Sequence, residues 1–289
     1  MKIKPIVFCF ICLNLVVPST FGLGIPAGSS EKSDVKFLLG LRGGINFSDP
    51  LVLNSYSIFS NTSASVSPNF KKYGKWYKNT GSQYGIVAMM QFKERTYVSL
   101  QPSISTHNFK YTGTYSWLNP QNVSESATLI YHHVQSLKYA EFPLLIRQDL
   151  TSSRLRPYVQ AGGFYSFLQT GMQNISLTEE ITSNQAPNQI PEGSRSGNVS
   201  DQFISTHLGL IAGGGVAYKL DWVMLGLDVQ YKRGLHNITN KANRYNNQSL
   251  LGDTFDVPDD LSLNAWMISV NVVFSLGFNK PAKGALKCP

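Results

Sequence analysis

From Trp266 to Phe278 every even-numbered residue is apolar: Trp266, Ile268, Val270, Val272, Phe274, Leu276 and Phe278. The odd positions carry Met267, Ser269, Asn271, Val273, Ser275 and Gly277. Successive side chains of a strand point to opposite faces, so this segment has one oily face and one small or polar face. Soluble strands usually run about 5–6 residues. A strand tilted by about 45° needs roughly 9–11 to cross a bilayer, and aromatic residues at both ends place rings at the two interfaces. The pattern predicts a membrane-spanning strand.

The same period recurs along the chain. Strands are predicted at Val35–Phe47, Gln83–Phe92, Tyr97–Tyr111, Thr128–Gln148, Pro157–Gln169, Phe203–Lys219, Trp222–Leu235 and Leu263–Phe278. In the first, Val35, Phe37, Leu39, Leu41, Ile45 and Phe47 oppose Lys36, Arg42 and Asn46; in the seventh, Val223, Leu225, Leu227, Val229 and Tyr231 oppose Asp228, Gln230 and Lys232. Glycines in Ala161–Gly163 and Ala212–Gly215 blur the alternation, as a strongly curved wall requires. The connections add a second signal. Short turns at Lys93–Thr96, Leu150–Arg156 and Leu220–Asp221 alternate with long polar excursions at Ser48–Ser82, Thr112–Ala127, Thr170–Gln202 and His236–Ser262. That alternation predicts an all-β, eight-stranded antiparallel up-and-down transmembrane β-barrel, with four long extracellular loops and both termini periplasmic.

Export fits this picture. Met1-Lys-Ile-Lys, the apolar run Pro5–Val17, and Thr20 and Gly22 before a cut after Gly22 have the layout of a secretory signal peptide. The expected organisation is a signal peptide at 1–22, a periplasmic segment at 23–34, the barrel at 35–278 and a periplasmic tail at 279–289. Cleavage removes Cys9 and Cys12, so the lone Cys288 has no internal disulfide partner and backbone pairing must hold the fold. The net charge of +8 stays positive without Lys2 and Lys4. For an exported chain the counterpart expected is anionic lipid or lipopolysaccharide, not nucleic acid.

An eight-stranded ring is just wide enough for its own side chains. Inward parity falls on Arg42, Glu141, Arg147, Asp228 and Lys232, whose mixed signs predict a lumen charge network that plugs the barrel. A proton or ion path is the competing reading. His107, His133, His207 and His236 share inward parity near the long-loop end, where convergence would suit a divalent metal or a pH sensor; their spacing carries no metal signature. His132 is expected outside. Ser–His neighbours such as Ser205 and His207 arise readily in so serine-rich a chain, and no nucleophile elbow is present, so no catalytic residues and no cofactor are expected. A lipid-modifying enzyme and a soluble lipocalin-like carrier are the alternatives; the carrier would need an apolar interior and a polar exterior.

In the first long loop, Phe70–Lys78 interleaves four lysines with four aromatic residues. Lys71, Lys72, Lys75, Trp76 and Lys78 are the expected lipopolysaccharide or glycan contacts. Sequons at Asn46, Asn61, Asn122, Asn174, Asn198, Asn237 and Asn247 follow from Asn- and Ser-rich loops, and in a bacterial barrel carry no glycan.

Three stretches resemble a known family. Gly40-Leu-Arg-Gly-Gly-Ile-Asn-Phe-Ser48, Tyr139-Ala-Glu-Phe-Pro-Leu-Leu-Ile146 and Arg156-Pro-Tyr-Val-Gln-Ala-Gly-Gly163 are similar to PorT-like outer-membrane β-barrel proteins. The likeness implies an eight-stranded barrel in the outer membrane of a diderm bacterium and, for one branch, a link to type IX secretion. It brings no catalytic residues, and it gives Glu141 and Pro143 architectural roles. The expected protein is thus a monomeric, non-enzymatic barrel with a secretion or envelope-assembly partner, surface adhesion being the second role.

Overall fold

Eleven strands join in one antiparallel sheet in the computed structural model, which describes residues 36–57, 71–119, 122–182, 188–246 and 256–276. The expected signal peptide, the 23–34 segment, the tail with Cys288, Phe70, and the sequons at Asn61 and Asn247 lie outside the described residues. The strands are β1 (Lys36–Asn54), β2 (Lys71–Tyr73), β3 (Thr80–Lys93), β4 (Thr96–Leu100), β5 (Ser103–Asn119), β6 (Asn122–Asp149), β7 (Leu155–Thr182), β8 (Asn188–Asn198), β9 (Thr206–Lys219), β10 (Val223–Gly234) and β11 (Asp260–Leu276). β1 pairs with β3, β3 with β4 and β5, and both of these with β6. The wall continues through β7, β9, β10 and β11, and β11 returns to β1. Closure satisfies backbone N–H and C=O groups within the wall, as hydrocarbon surroundings demand.

The count departs from the expected eight for identifiable reasons. The predicted strand Tyr97–Tyr111 divides into β4 and β5 at Gln101-Pro102, because Pro102 has no N–H for the ladder. Pairing otherwise persists there: Gln101 N donates to Pro143 O at 2.9 Å, and Ile86 N to Pro102 O at 3.0 Å. β2 lies on β5 and β8 on β7, both inside stretches read as polar loops.

Those loop boundaries need correction. β5 and β6 run through Thr112–Ala127 to Asn119 and from Asn122, and β1 continues to Asn54. The predicted end at Gln169 is a bulge: Lys138 pairs with Thr170 and Tyr139 with Leu168, leaving Gln169 unopposed. One extra residue exchanges the two faces, so the alternation breaks while the strand continues to Thr182. Gly171, Gln173 and Ile175 are thereby turned inward.

The expected two faces are present. Phe37, Leu39, Leu41 and Ile45 on β1 and Trp266, Ile268, Val270, Phe274 and Leu276 on β11 are exposed, whereas Arg42, Asn46, Met267, Ser269, Asn271 and Val273 are buried. Leu227 is 54% exposed and its neighbour Asp228 1%. This is the reverse of a soluble carrier's arrangement. Aromatic rings gather near both ends of the apolar band. Tyr231 meets Trp266 (centroids 4.9 Å apart) and Phe142, Tyr165 and Phe167 cluster toward the long loops, while Trp222 stacks on Phe274 at 5.8 Å beside the short turns. No helix among the described residues is long and apolar enough to span a membrane, so the crossing segments are strands.

Candidate functional site

The five inward positions expected from parity are all buried, none more than 4% exposed. The register assigns their partners. Arg42 Nη2 lies 3.3 Å from Asp228 Oδ1. That carboxylate also accepts from Ser269 Oγ (2.6 Å), Asn271 Nδ2 (2.6 Å) and Tyr158 OH (3.3 Å), and Arg42 donates to Ser269 and Gln101. Lys232 donates to Glu141, whose Oε2 also accepts from Ser105 Oγ at 2.9 Å. Arg147 Nε donates to Asp149 Oδ1 at 2.8 Å, and its guanidinium lies over the Tyr158 ring at 3.6 Å. Arg156 shares the same carboxylate, with Nη1 3.6 Å from Asp149 Oδ2. Buried charges are tolerated when paired and hydrogen-bonded, and each of these is.

Side chains fill the space around the charges. Val87, Met89, Tyr158, Ala217, Met224 and Val273 form an apolar layer toward the short turns; Phe109, Leu137, Tyr139, Val199, Phe203, Ile238, Leu261 and Leu263 form another toward the long loops. Beside Arg147 and Asp228 remains a cavity of about 10 Å³, room for about one water. Glycine makes the fit possible at Gly215, where a Cβ would stand 2.3 Å from Leu227 O and 2.7 Å from Tyr158 OH.

One triplet resembles a hydrolase site. Ser48 Oγ lies 3.1 Å from His107 Nδ1, and His107 Nε2 3.1 Å from Glu141 Oε1. Its surroundings do not suit nucleophilic attack: Ser48 is fully buried, leaving an incoming carbonyl no approach, and Glu141 is also engaged by Lys232. The four histidines do not form one cluster: His107 and His236 lie near His207, and His133 stands apart. His107 and His207 flank Tyr139, His133 stacks on Tyr111 with centroids 4.4 Å apart, and His236 is exposed, as is His132. Among the described residues no His, Cys, Asp or Glu group has metal-holding geometry.

At the long-loop end the chain closes its own mouth. Residues 256–265 are buried without interruption. Lys71 Nζ lies 2.9 Å from Asp256 Oδ1 and 3.4 Å from Asp259 Oδ1, and donates to Val257 O. Tyr111 OH donates to Asp256 Oδ2 at 2.5 Å and Tyr73 OH to Asp259 Oδ2 at 2.8 Å. Burial raises the Asp256 pKa, but Lys71, His133 and the Tyr111 hydroxyl outweigh it and bring the carboxyl down to about 2. Asp260 is held by Arg244, Asn54, Asn237 and Tyr56.

The surface set therefore divides, and Lys71 is corrected to an interior clamp with a side chain 3% exposed. Lys72, Lys75, Trp76 and Lys78 are exposed. Trp76 packs edge-on against outward-facing Phe47 at 5.9 Å, and Lys75 Nζ sits 5.9 Å from the Tyr77 ring. Asp149 and the acidic residues 256–260 were missed in the sequence. Asp149 lies one residue beyond the predicted strand end, although its inward parity continues that of Glu141 and Arg147; Asp256–Asp260 lay in an apparent loop.

The match to a family model for the outer membrane protein beta-barrel domain covers residues 29–240. No curated protein matches the chain. Among solved structures, OprG from Pseudomonas aeruginosa is 14% identical, with 83% of this chain and 95% of that one covered and a TM-score of 0.41. The Neisserial surface protein A is 12% identical (82% and 96% covered, TM-score 0.31). Ail of Yersinia pestis, solved with the heparin analogue sucrose octasulfate, is 10% identical (83% and 99% covered, TM-score 0.28). A closed antiparallel wall, greasy outside and charged within, defines an integral β-barrel of the bacterial outer membrane. The chain belongs to the outer membrane protein beta-barrel domain family.

Proposed function

We propose that this protein is a monomeric, non-enzymatic barrel whose lumen is a structural plug and whose contacts are made at its two ends. The observation that carries this reading is the pairing of every expected inward charge in a lumen packed above and below by apolar layers. Counting β4 and β5 as one stave, and β2 and β8 as loop annexes, gives a ring of eight, a size its own side chains fill. The short turns and both termini then face the periplasm, and residues 1–22 are removed on export. At the outer end Lys72, Lys75, Trp76 and Lys78 meet lipopolysaccharide phosphates and sugars, since all four are exposed and Trp76 packs on the outward ring of Phe47. The partner is an envelope or secretion component, as the PorT-like stretches suggest, with adhesion the second role.

Planar-bilayer recording tests the plug. The purified protein should give only brief, small current events; a large steady conductance would mean that ions pass the Arg42–Asp228 and Lys232–Glu141 pairs.

A further inference from the structure

At the short-turn end the barrel opens into a second, larger cavity of about 100 Å³. Its inward-parity lining is Leu38 of β1, Gln91 of β3, Tyr97 of β4, Met224 of β10 and Val273 of β11. Met224 and Val273 also line the smaller inner cavity, so they form the floor between the two. Trp222 stands at the rim. The base is thus apolar and aromatic.

The rim is cationic. Lys36 and Lys219 both line the cavity, and Lys219 has Lys36 and Arg156 as near charged neighbours. Neither lysine makes an ion pair among the described residues. The carboxylate in the lining is Asp221, exposed on the turn; Glu94 and Asp149 are the others close to Lys219. Asp149 is already taken by Arg147 and Arg156. Among the described lining residues two lysines stand with one carboxylate, Asp221, while Glu94 lies close to Lys219 outside the lining and Arg147 and Arg156 behind Tyr97 add positive potential. Neighbouring ammonium groups without counter-ions are unfavourable unless something anionic joins them. A carboxylate received by two cations makes charge-assisted hydrogen bonds of the stronger kind.

We infer that this mouth is a binding site for a monoanionic carboxylate carried on a small planar or apolar body, with Lys36 and Lys219 receiving the carboxylate and Leu38, Tyr97, Met224 and Val273 the body. The size, the two lysines at the rim and the apolar base beside Tyr97 select that class. The carboxylate belongs either to a free small acid or to the C-terminus of a periplasmic polypeptide. The site lies at the opposite end from Lys72, Lys75 and Lys78, so it stands whether or not those residues touch lipopolysaccharide, and whether or not the lumen conducts.

The test uses the full chain in detergent micelles and ¹⁹F line broadening of 4-fluorobenzoate, with neutral 4-fluorobenzamide as control. Broadening should occur for the acid alone, weaken as salt rises, and drop about tenfold or more in affinity in the Lys36→Gln/Lys219→Gln protein. Heat-modifiable gel migration confirms that the variant is folded. A Lys72→Gln/Lys75→Gln protein should bind as the parent does. A Trp-terminated tripeptide, as free acid and as amide, separates the two sources: preference for the peptide acid assigns a polypeptide terminus, and preference for the fluorobenzoate a free acid. Equal broadening by the amide control, undiminished binding in the double variant, or failure of both acids to bind at millimolar concentration would overturn the site.

Discussion

Replacing Asp228 by Asn removes one charge while keeping nearly the same shape, and the surrounding distances set the consequence. At 3.3 Å from Arg42 Nη2, with the effective dielectric constant of about 20 suited to such sites, the charge–charge attraction is about 5 kcal/mol. Desolvation offsets part of that in the intact pair, but in the variant the guanidinium stays buried without a counter-charge. Breaking a buried pair on one side typically destabilises by about 3–5 kcal/mol. The new amide nitrogen must also face a donor, because Asn271 Nδ2 and Tyr158 OH both point to Oδ2 and Ser269 Oγ to Oδ1. Urea unfolding in short-chain phosphatidylcholine vesicles, read by heat-modifiable gel migration, should place Asp228→Asn about 3–5 kcal/mol below the parent. Arg42→Met/Asp228→Leu, which removes both charges, should recover most of the loss, giving a coupling of about 2 kcal/mol or more. If Asp228→Asn lies within about 0.5 kcal/mol of the parent, the range of ordinary surface changes, water reaches the pair and the dry plug is wrong.

Lys71→Met should release the strap at 256–259, seen as amide exchange there accelerating about tenfold or more, while the apolar band stays protected. The Asp256 carboxyl sits at about 2 instead of its ordinary 3.8. Its contribution to stability, of order 2 kcal/mol, is therefore complete above about pH 4 and fades as pH falls toward 2; a parent and a Lys71→Met protein that lose stability identically over that interval would contradict the clamp. Removing the surface charges as Lys72→Gln/Lys75→Gln/Lys78→Gln should weaken lipopolysaccharide capture by roughly 3- to 10-fold at low salt, with the difference shrinking at high salt, and Trp76→Ala should weaken it at both. Capture unchanged in both variants would assign these residues to anchoring alone.

Alternation in β11 and β10 fixed the two faces in advance, because each polar residue sits between apolar neighbours and a period of two has a single meaning. Arg42, Glu141, Arg147, Asp228 and Lys232 could be assigned inward for the same reason. Their pairing could not, because it depends on register: Arg42 meets Asn271, Asp228 meets Ser269, and Lys232 reaches across the lumen to Glu141. The alternation also falls silent where both faces are polar, which is how β5 and β6 continued unseen through Thr112–Ala127, and where a bulge swaps the faces, as at Gln169. Lys71 was misplaced because neighbours of like type suggested a solvated cluster. Its carboxylate partners stand more than 180 residues away in sequence, and local composition gives no hint of them.

The great length of β6 and β7 carries a consequence for anything approaching the cell. From Lys138, near the aromatic girdle, β6 extends back to Asn122, which is roughly 50 Å of ladder at about 3.3 Å per residue. Hydrogen-bonded ribbons of this kind do not collapse onto the bilayer as loose coils do. If the long connections face outward, as proposed, one flank of the rim stands clear of the bilayer as a parapet, and an antibody, a phage or another cell would meet its crest before it meets lipid.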